Sequence, residues 1–164
     1  MSGRAPAKIP AGYTTVTPWI ISRDTARLLD FVARAFAAQE LSRMNDADGP
    51  IVHAEFRIGD AVVMAFDARP GWSETPGFLR LYVDDCDAVF QRALDAGATA
   101  VTAPTTLFFG DRVARVRDPL GNVWWIQAHL EDLTPEEMQR RAGQQAHADA
   151  MRYVQESLAR AMAR

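Results

Sequence analysis

Cysteine and histidine are scarce in this sequence of 164 residues, which has one cysteine, Cys86, and three histidines. One cysteine cannot form a disulfide within its own chain, so a disulfide framework is excluded. A zinc site built from Cys and His would need ligands that the sequence lacks. A lone thiol is typical of reducing compartments, and we expect a cytoplasmic protein.

An excess of positive charge is also absent, since 18 Lys and Arg stand against 21 Asp and Glu, a formal net charge of −3. Surfaces that bind phosphate backbones normally carry a basic excess, so we expect no nucleic acid partner. No apolar run approaches the roughly 20 residues of a membrane span, and the first ten residues lack the apolar stretch of a secretory signal. Apolar residues are abundant at 48%, which suffices for one domain or for two small modules that share a core.

Signals for strands and helices occur twice in the same order. The first set predicts a strand over 13–21, a helix that starts near Asp24, a short strand over 41–44, and a hairpin of 51–58 and 61–66 around Gly59-Asp60. The second set predicts a strand over 78–83, a helix over 86–96 that Gly97 ends, and strands over 99–102, 112–116 and 123–128. A repeat of about 60 residues rarely closes its own core, so we expect two half-cores that complete each other.

The predicted fold class is α+β, with two βαβββ modules followed by a C-terminal helix. We expect a flexible N-terminal arm at 1–11, modules at 12–67 and 78–130, a linker at 68–77 and a helical extension at 131–164. In the extension, Thr134 followed by Pro135 and Glu137 predicts a capped helix start. The helix carries a narrow apolar stripe, which favours docking on a partner subunit or on the sheet rim over burial in a core; its members are Met151, Val154, Leu158 and Met162.

The doubled unit, together with several short motifs, resembles the vicinal oxygen chelate superfamily, which includes glyoxalase I, bleomycin-resistance proteins and extradiol dioxygenases. The likeness is greatest to its PhnB-like branch and covers residue 9 to about residue 141. The motifs are IPAGY at 9–13, TP at 17–18, HAE at 53–55, IGD at 58–60, LYVDD at 81–85, GDR at 110–112, RVRDP at 115–119 and EDLTPE at 131–136.

The resemblance implies a cup-shaped sheet of eight strands, commonly completed in a homodimer, with a ligand cavity on the concave face. It also implies metal-ligand positions on the first and last strands of each module, which fall here at Thr17, Met64 (or Val63), Phe78 and Trp125. Thioether and aromatic side chains are poor ligands for a hard divalent cation. We therefore expect no metal and no other cofactor, which argues against the lyase and dioxygenase chemistries of the family.

Side chains that line the cup can be predicted from strand parity, because successive residues of a strand face opposite ways. If Phe78 faces inward, Arg80 and Tyr82 do too, while Leu79, Leu81 and Val83 pack on the helices. By the same logic Thr15, Thr17 and Trp19 face inward on the first strand, Val62, Met64 and Phe66 on the fourth, and Val123, Trp125 and Gln127 on the eighth. Trp124 then belongs to the core. The predicted substrate-binding residues are Thr17, Trp19, Met64, Phe78, Arg80, Tyr82, Phe109 and Trp125.

Acid–base chemistry has one pair of candidates, His53 and Glu55, which share a strand face two residues apart. The alternative is an exposed polar face paired with Arg57 or the opposite strand. Asp111-Arg112 forms either a loop that closes over the cavity or an ordinary salt-bridged turn. Cys86 lies between two aspartates, which disfavours a thiolate and so a nucleophilic role.

These observations favour a homodimer that binds a small aromatic or drug-like molecule in an apolar cavity without a metal. The rival hypothesis is an enzyme of the same superfamily, of lyase, isomerase or dioxygenase type, that uses a divalent metal or His53 and Glu55. A third hypothesis is a regulatory or scaffolding module.

Overall fold

The computed structural model describes residues 7–163, so the first six residues of the expected N-terminal arm lie outside it. Eight strands and four helices follow one another in chain order. They are β1 (Trp19–Ser22), α1 (Thr25–Phe36), β2 (Gln39–Asn45), β3 (Ile51–Ile58), β4 (Ala61–Asp67), β5 (Phe78–Tyr82), α2 (Cys86–Asp95), β6 (Thr99–Thr106), β7 (Asp111–Arg117), β8 (Val123–His129), α3 (Pro135–Ala142) and α4 (Gln145–Met162).

The strands form two four-stranded sheets, in the orders β1-β4-β3-β2 and β5-β8-β7-β6. β1 pairs with β4 and β5 pairs with β8 in parallel, and all other neighbouring strands are antiparallel. The prediction of two βαβββ modules is therefore confirmed. The registers also correspond, since Trp19 lies opposite Met64 in the first sheet and Arg80 lies opposite Trp125 in the second.

Local sequence explains where the module helices begin and end. The carboxylate of Asp24 accepts a hydrogen bond from the backbone N–H of Arg27, and that of Asp85 accepts one from Ala88, so each aspartate caps a helix. Gly97 ends the second helix with a φ of +105°, a conformation that glycine adopts without steric cost.

The two modules share one hydrophobic core, which lies between the helix-covered faces of their sheets. Trp124 is fully buried there, with its ring 4.9 Å from that of Phe36 in the other module. Each module thus buries its apolar face against the other, as the repeat predicts. The opposite, inner faces of both sheets point away from this core.

The turn between β7 and β8 is fixed by a single buried carboxylate. Asp118 accepts hydrogen bonds from the backbone N–H groups of Leu120 and Asn122, from the Asn122 amide and from the Trp124 indole. Asn122 in turn accepts from the backbone of Gly77 at the start of β5. One aspartate therefore ties the turn, the core tryptophan and the linker together.

Three predicted elements differ from the structure. The strand expected over 13–21 is only Trp19–Ser22, since Pro18 lacks an N–H and the preceding residues form turns, as in the bond from Tyr13 N–H to the Pro10 carbonyl. Thr15 and Thr17 therefore lie before the strand. The strands expected over 41–44 and 99–102 extend to Gln39–Asn45 and Thr99–Thr106.

The C-terminal extension contains two helices where the sequence predicts one. Thr134 caps α3 as predicted, accepting a hydrogen bond from the Glu137 backbone, but the helix ends at Gly143 and a second helix begins at Gln145. The last helix, α4, packs beside the edge strand β6, and side chains of β7 reach its backbone. No helix within residues 7–163 is long and apolar enough to cross a membrane.

Replacement of Asp118 tests the account of the turn. We expect Asp118→Ala to lower the free energy of unfolding by about 3 kcal/mol, because it leaves four N–H donors without their acceptor in a buried site. Urea denaturation measures the change. The matched control is Asp60→Ala, in the exposed turn between β3 and β4, and equal midpoints for the two variants would contradict the account.

Candidate ligand-binding site

The inner face of the second sheet carries the residues that parity predicts. Along β5, Leu79 and Leu81 pack against the shared core, while Phe78, Arg80 and Tyr82 face away from it and are exposed. On β8, Trp124 and Ile126 are core residues, whereas Trp125 packs with a second cluster on the inner face.

Helix α4 packs along the β6 side of this inner face and borders a cavity of about 640 Å³ that is partly open to solvent, called here the α4 cavity. All four residues of the apolar stripe line it, so the stripe packs toward the chain's own second module. The remaining lining comes from the sheet, the β6–β7 turn and α4 itself: Arg80, Leu107, Phe109, Arg115, Trp125, Gln127, Gln155 and Ala159.

Four polar contacts attach α4 to the sheet, one of them from the Arg117 guanidinium to the Ala161 carbonyl at 2.8 Å. The Thr102 hydroxyl bonds the Ser157 hydroxyl at 2.7 Å in a buried site, and the Tyr153 hydroxyl accepts from the Ala103 backbone at 2.9 Å. Arg115 donates to the carbonyl of Val154 at 2.8 Å. The helix is therefore positioned by specific polar contacts as well as by its apolar stripe.

Trp125 stands between two arginines at the floor of the cavity. Cross-strand register places Arg80 beside it on β5 and Arg115 beside it on β7. The guanidinium carbon of Arg80 lies 4.4 Å from the centre of the indole ring and that of Arg115 lies 3.8 Å from it. Both distances are within the range of cation–π contacts. The row across three strands thus holds two positive charges around one aromatic ring.

Arg115 is buried, with 2% of its surface exposed, and has no salt-bridge partner among residues 7–163. Its hydrogen bonds go to neutral oxygens, those of Thr102 and Val154. Burial, together with the nearby charge of Arg80, lowers the pKa of the Arg115 guanidinium to about 10. The group is still cationic at neutral pH and lacks a counter-charge from the chain.

Three buried polar atoms of cavity-lining residues lack a hydrogen-bond partner within the described range: Arg115 Nε, Trp125 Nε1 and Gln127 Oε1. The Gln127 amide nitrogen donates to Asp111, whose other oxygen contacts His129 Nδ1 at 2.6 Å. Unsatisfied buried polar atoms are few in folded proteins, and these three belong to residues that line one cavity.

The inner face of the first sheet is arranged differently, around a chain of polar contacts. The Tyr13 hydroxyl donates to Glu55 Oε2 at 2.5 Å, and His53 Nε2 lies 2.9 Å from Glu55 Oε1. The hydrogen bonds from Tyr13 and His53 lower the pKa of Glu55, so its carboxylate is ionised at neutral pH. Trp19 contacts His53 edge-on, and both line a cavity of about 560 Å³ with Phe66 and Trp72.

The predicted binding residues do not meet in one cavity within the chain. Arg80, Phe109 and Trp125 line the α4 cavity, and Trp19 lines the cavity of the first module. Thr17 and Met64 line a separate, open hollow of about 720 Å³. Tyr82 lies with Arg80 in a groove of about 530 Å³ between the modules, and Phe78 contacts Trp125 at 6.5 Å between rings.

Two further candidates have structural roles. Arg112 forms a two-pronged ion pair with Asp87 of α2, and Asp111 is buried at the start of β7, so the salt-bridged alternative describes this segment. Cys86 is buried, and burial and the neighbouring Asp87 raise the pKa of its thiol to about 11. A thiol that stays protonated is a poor nucleophile.

The four positions that the family offers to a metal do not fit one in this chain. Met64, Phe78 and Trp125 supply no oxygen or imidazole donor, and the Thr17 hydroxyl contacts the Thr14 carbonyl. Across residues 7–163 no three His, Cys, Asp or Glu side chains are grouped so as to hold a metal ion.

Sequence reasoning missed two site residues, Arg115 and Tyr13. Arg115 could have been found by applying parity to β7, where Ala114 and Val116 face the core and Arg115 faces the cavity. Tyr13 had no such signal. It lies before β1, in a turn, whereas the sequence predicts a strand there, and a strand gives no reason to expect its contact with Glu55.

Comparison with known proteins agrees with the fold. The chain matches the family model described as the glyoxalase/bleomycin resistance protein/dioxygenase superfamily over residues 12–126. It is 39% identical over 135 residues to the uncharacterized protein Mb0911c of Mycobacterium bovis, an alignment that covers 76% of this chain and 89% of that relative.

Solved structures with the same fold include TioX from Micromonospora sp. ML1, which is 28% identical with a TM-score of 0.61 and is matched over 71% of this chain and 99% of its own. The PhnB protein from Bacillus cereus is 17% identical with a TM-score of 0.57, over 70% of this chain and 99% of its own, and shows likeness of fold alone. With its doubled module, its shared core and the match over most of both modules, the chain belongs to the glyoxalase/bleomycin resistance protein/dioxygenase superfamily.

Proposed function

We propose that this protein binds a small organic molecule with an aromatic or otherwise apolar body in the α4 cavity, without a metal ion. The observation that carries the proposal is the partly open cavity of about 640 Å³ between Trp125 and the apolar stripe of α4. Ligand cavities are typically about 300–1,000 Å³, mostly apolar, with a few convergent polar groups. Binding itself would then be the activity, as the bleomycin-resistance part of the family name suggests.

The chemistry of the lining supports an aromatic ligand. Phe109 and Leu107 supply a rigid apolar wall, while Met151 and Met162 are flexible thioethers that adapt to ligand shape and contact ring edges favourably. Trp125 presents the edge of its ring, since its faces are flanked by the two arginines. The cavity thus combines a fixed floor with an adaptable roof.

A homodimer is part of the proposal. Outside the α4 cavity, the inner faces leave large aromatic side chains in solvent: Trp19 and Phe78 are 50% exposed and Tyr82 is 66% exposed. Exposed apolar groups on the two sheets favour association, and a second copy would cover them. The buried, unpaired Cys86 agrees with action in the reducing cytoplasm.

A neutral aromatic probe tests the binding site. We expect N-phenyl-1-naphthylamine to bind with one site per chain, and Leu158→Asn to weaken it about tenfold, because a polar group replaces an apolar wall of near-equal size. Fluorescence titration measures the affinity. Leu41→Asn, on an exposed strand of the first module, is the matched control and should bind like the unmodified protein.

Binding should also survive dialysis against a chelator, since no metal takes part. Absence of probe binding, or equal affinity in the two Leu→Asn variants, would overturn the assignment of the cavity. A stoichiometric metal whose removal abolishes binding would overturn the metal-free proposal.

A second candidate function, acid–base catalysis, rests on the Tyr13–Glu55–His53 chain of contacts. The ionised Glu55 orients the imidazole by accepting from Nε2–H, which leaves Nδ1 as the basic nitrogen beside Trp19. The first module would then supply a positioned base next to a cavity with aromatic walls, an arrangement suited to proton abstraction from carbon.

A base-catalysed ring opening tests this candidate. In 5-nitrobenzisoxazole, a base removes the carbon-bound proton while the N–O bond breaks, giving a coloured cyanophenolate without any other reactant. We expect turnover by the protein and a loss of about 100-fold or more in His53→Gln. His129→Gln, which removes an imidazole outside this cavity, should keep the activity, and equal loss in both variants would contradict a role for His53.

A further inference from the structure

The α4 cavity contains two positive charges that the chain does not neutralise. Arg115 is buried without an ion pair, and Arg80 at the cavity edge forms neither a hydrogen bond nor a salt bridge within residues 7–163. Asp111, a carboxylate on β7 of the same sheet, is engaged by Gln127 and His129. Glu156 on α4 is directed to Arg160.

Resting on the proposed ligand-binding function, we propose that the α4 cavity selects ligands whose apolar body carries one anionic group, a carboxylate or sulfonate, held by Arg80 and Arg115. The apolar body lies against Phe109, Leu158 and the methionines of α4. The anionic group supplies the counter-charge that the two guanidiniums lack.

The cost of an uncompensated buried cation supports this selectivity. A charged group removed from water is unfavourable unless it is paired, and the two neutral hydrogen bonds of Arg115 leave its charge uncompensated. The lowered pKa of Arg115 reflects the same strain. An anion in the cavity would offset the cost of burying the Arg115 charge and would screen its repulsion from Arg80. Part of the binding free energy therefore comes from groups that are already in place.

The polar atoms without partners agree with a ligand that has an anionic end. Trp125 Nε1 and Arg115 Nε are N–H donors and Gln127 Oε1 is an acceptor. All three atoms are buried beneath the cavity surface, so a ligand's polar groups reach them only after these side chains shift. A neutral hydrocarbon would leave all three unsatisfied. The lining therefore discriminates by charge as well as by shape.

A matched pair of fluorescent probes tests the proposal on the full-length protein. The anion 8-anilino-1-naphthalenesulfonate and neutral N-phenyl-1-naphthylamine have the same aromatic framework and differ by the sulfonate. We expect the anion to bind at least tenfold more tightly, and its affinity to fall with rising salt while that of the neutral probe does not.

Variants locate the source of that preference. Arg80→Gln should reduce the preference for the anion several-fold without weakening the neutral probe, and Arg80→Lys should restore part of it. Arg115→Met should do the same as Arg80→Gln if it folds; Arg80 is exposed and forms no contacts that folding needs, so its variants decide the outcome if Arg115→Met does not fold. Arg152→Gln, on the exposed part of α4 where Arg152 pairs with Asp149, is the control and should keep the preference.

The outcomes separate the two proposals. If both probes bind equally, or if Arg80→Gln keeps the full preference, selection by charge is wrong and the apolar binding site stands. If neither probe binds, the proposed function itself fails, and the anion selectivity fails with it.

Discussion

The contact between Arg115 and α4 determines what kind of site this protein has. One guanidinium, buried on the inner face of the second sheet, donates to the Val154 carbonyl and to the Thr102 hydroxyl, which in turn bonds Ser157. The helix is thereby held over a face that would otherwise be open to solvent. The cavity, its apolar roof and its uncompensated charge all result from this arrangement.

The two modules share a fold but differ in the chemistry of their inner faces. Trp19 and Met64 occupy in the first sheet the register that Arg80 and Trp125 occupy in the second. The first face carries an oriented imidazole beside aromatic rings, and the second is bordered by α4 and carries cations. A repeat of one structural unit has therefore produced two surfaces of different chemistry.

The sequence predicts the modules well because their signals are local. Asp24 and Asp85 cap helices, Gly97 ends one, and alternation along β5 and β8 separates Trp124 from Trp125. The break between α3 and α4 falls at Gly143, a signal for a helix end that the helix-favouring Ala, Gln and Arg on both sides outweigh in the prediction. The location of α4 could not be predicted, since a narrow apolar stripe fits a partner subunit or the chain's own sheet equally well. Strand parity along β7 predicts that Arg115 faces the inner side of the sheet. Its burial depends on where α4 packs, which is a matter of tertiary structure.

The four tryptophans allow the central claim, that the ligand lies beneath α4, to be tested in one spectrum. Trp125 lines the α4 cavity, Trp124 is in the core, and Trp19 and Trp72 line the first module. In a proton–nitrogen correlation spectrum each indole N–H gives its own signal. Addition of 8-anilino-1-naphthalenesulfonate should shift the Trp125 signal in proportion to occupancy and leave Trp19 and Trp72 in place. Shifts of Trp19 and Trp72 with an unmoved Trp125 would contradict the account.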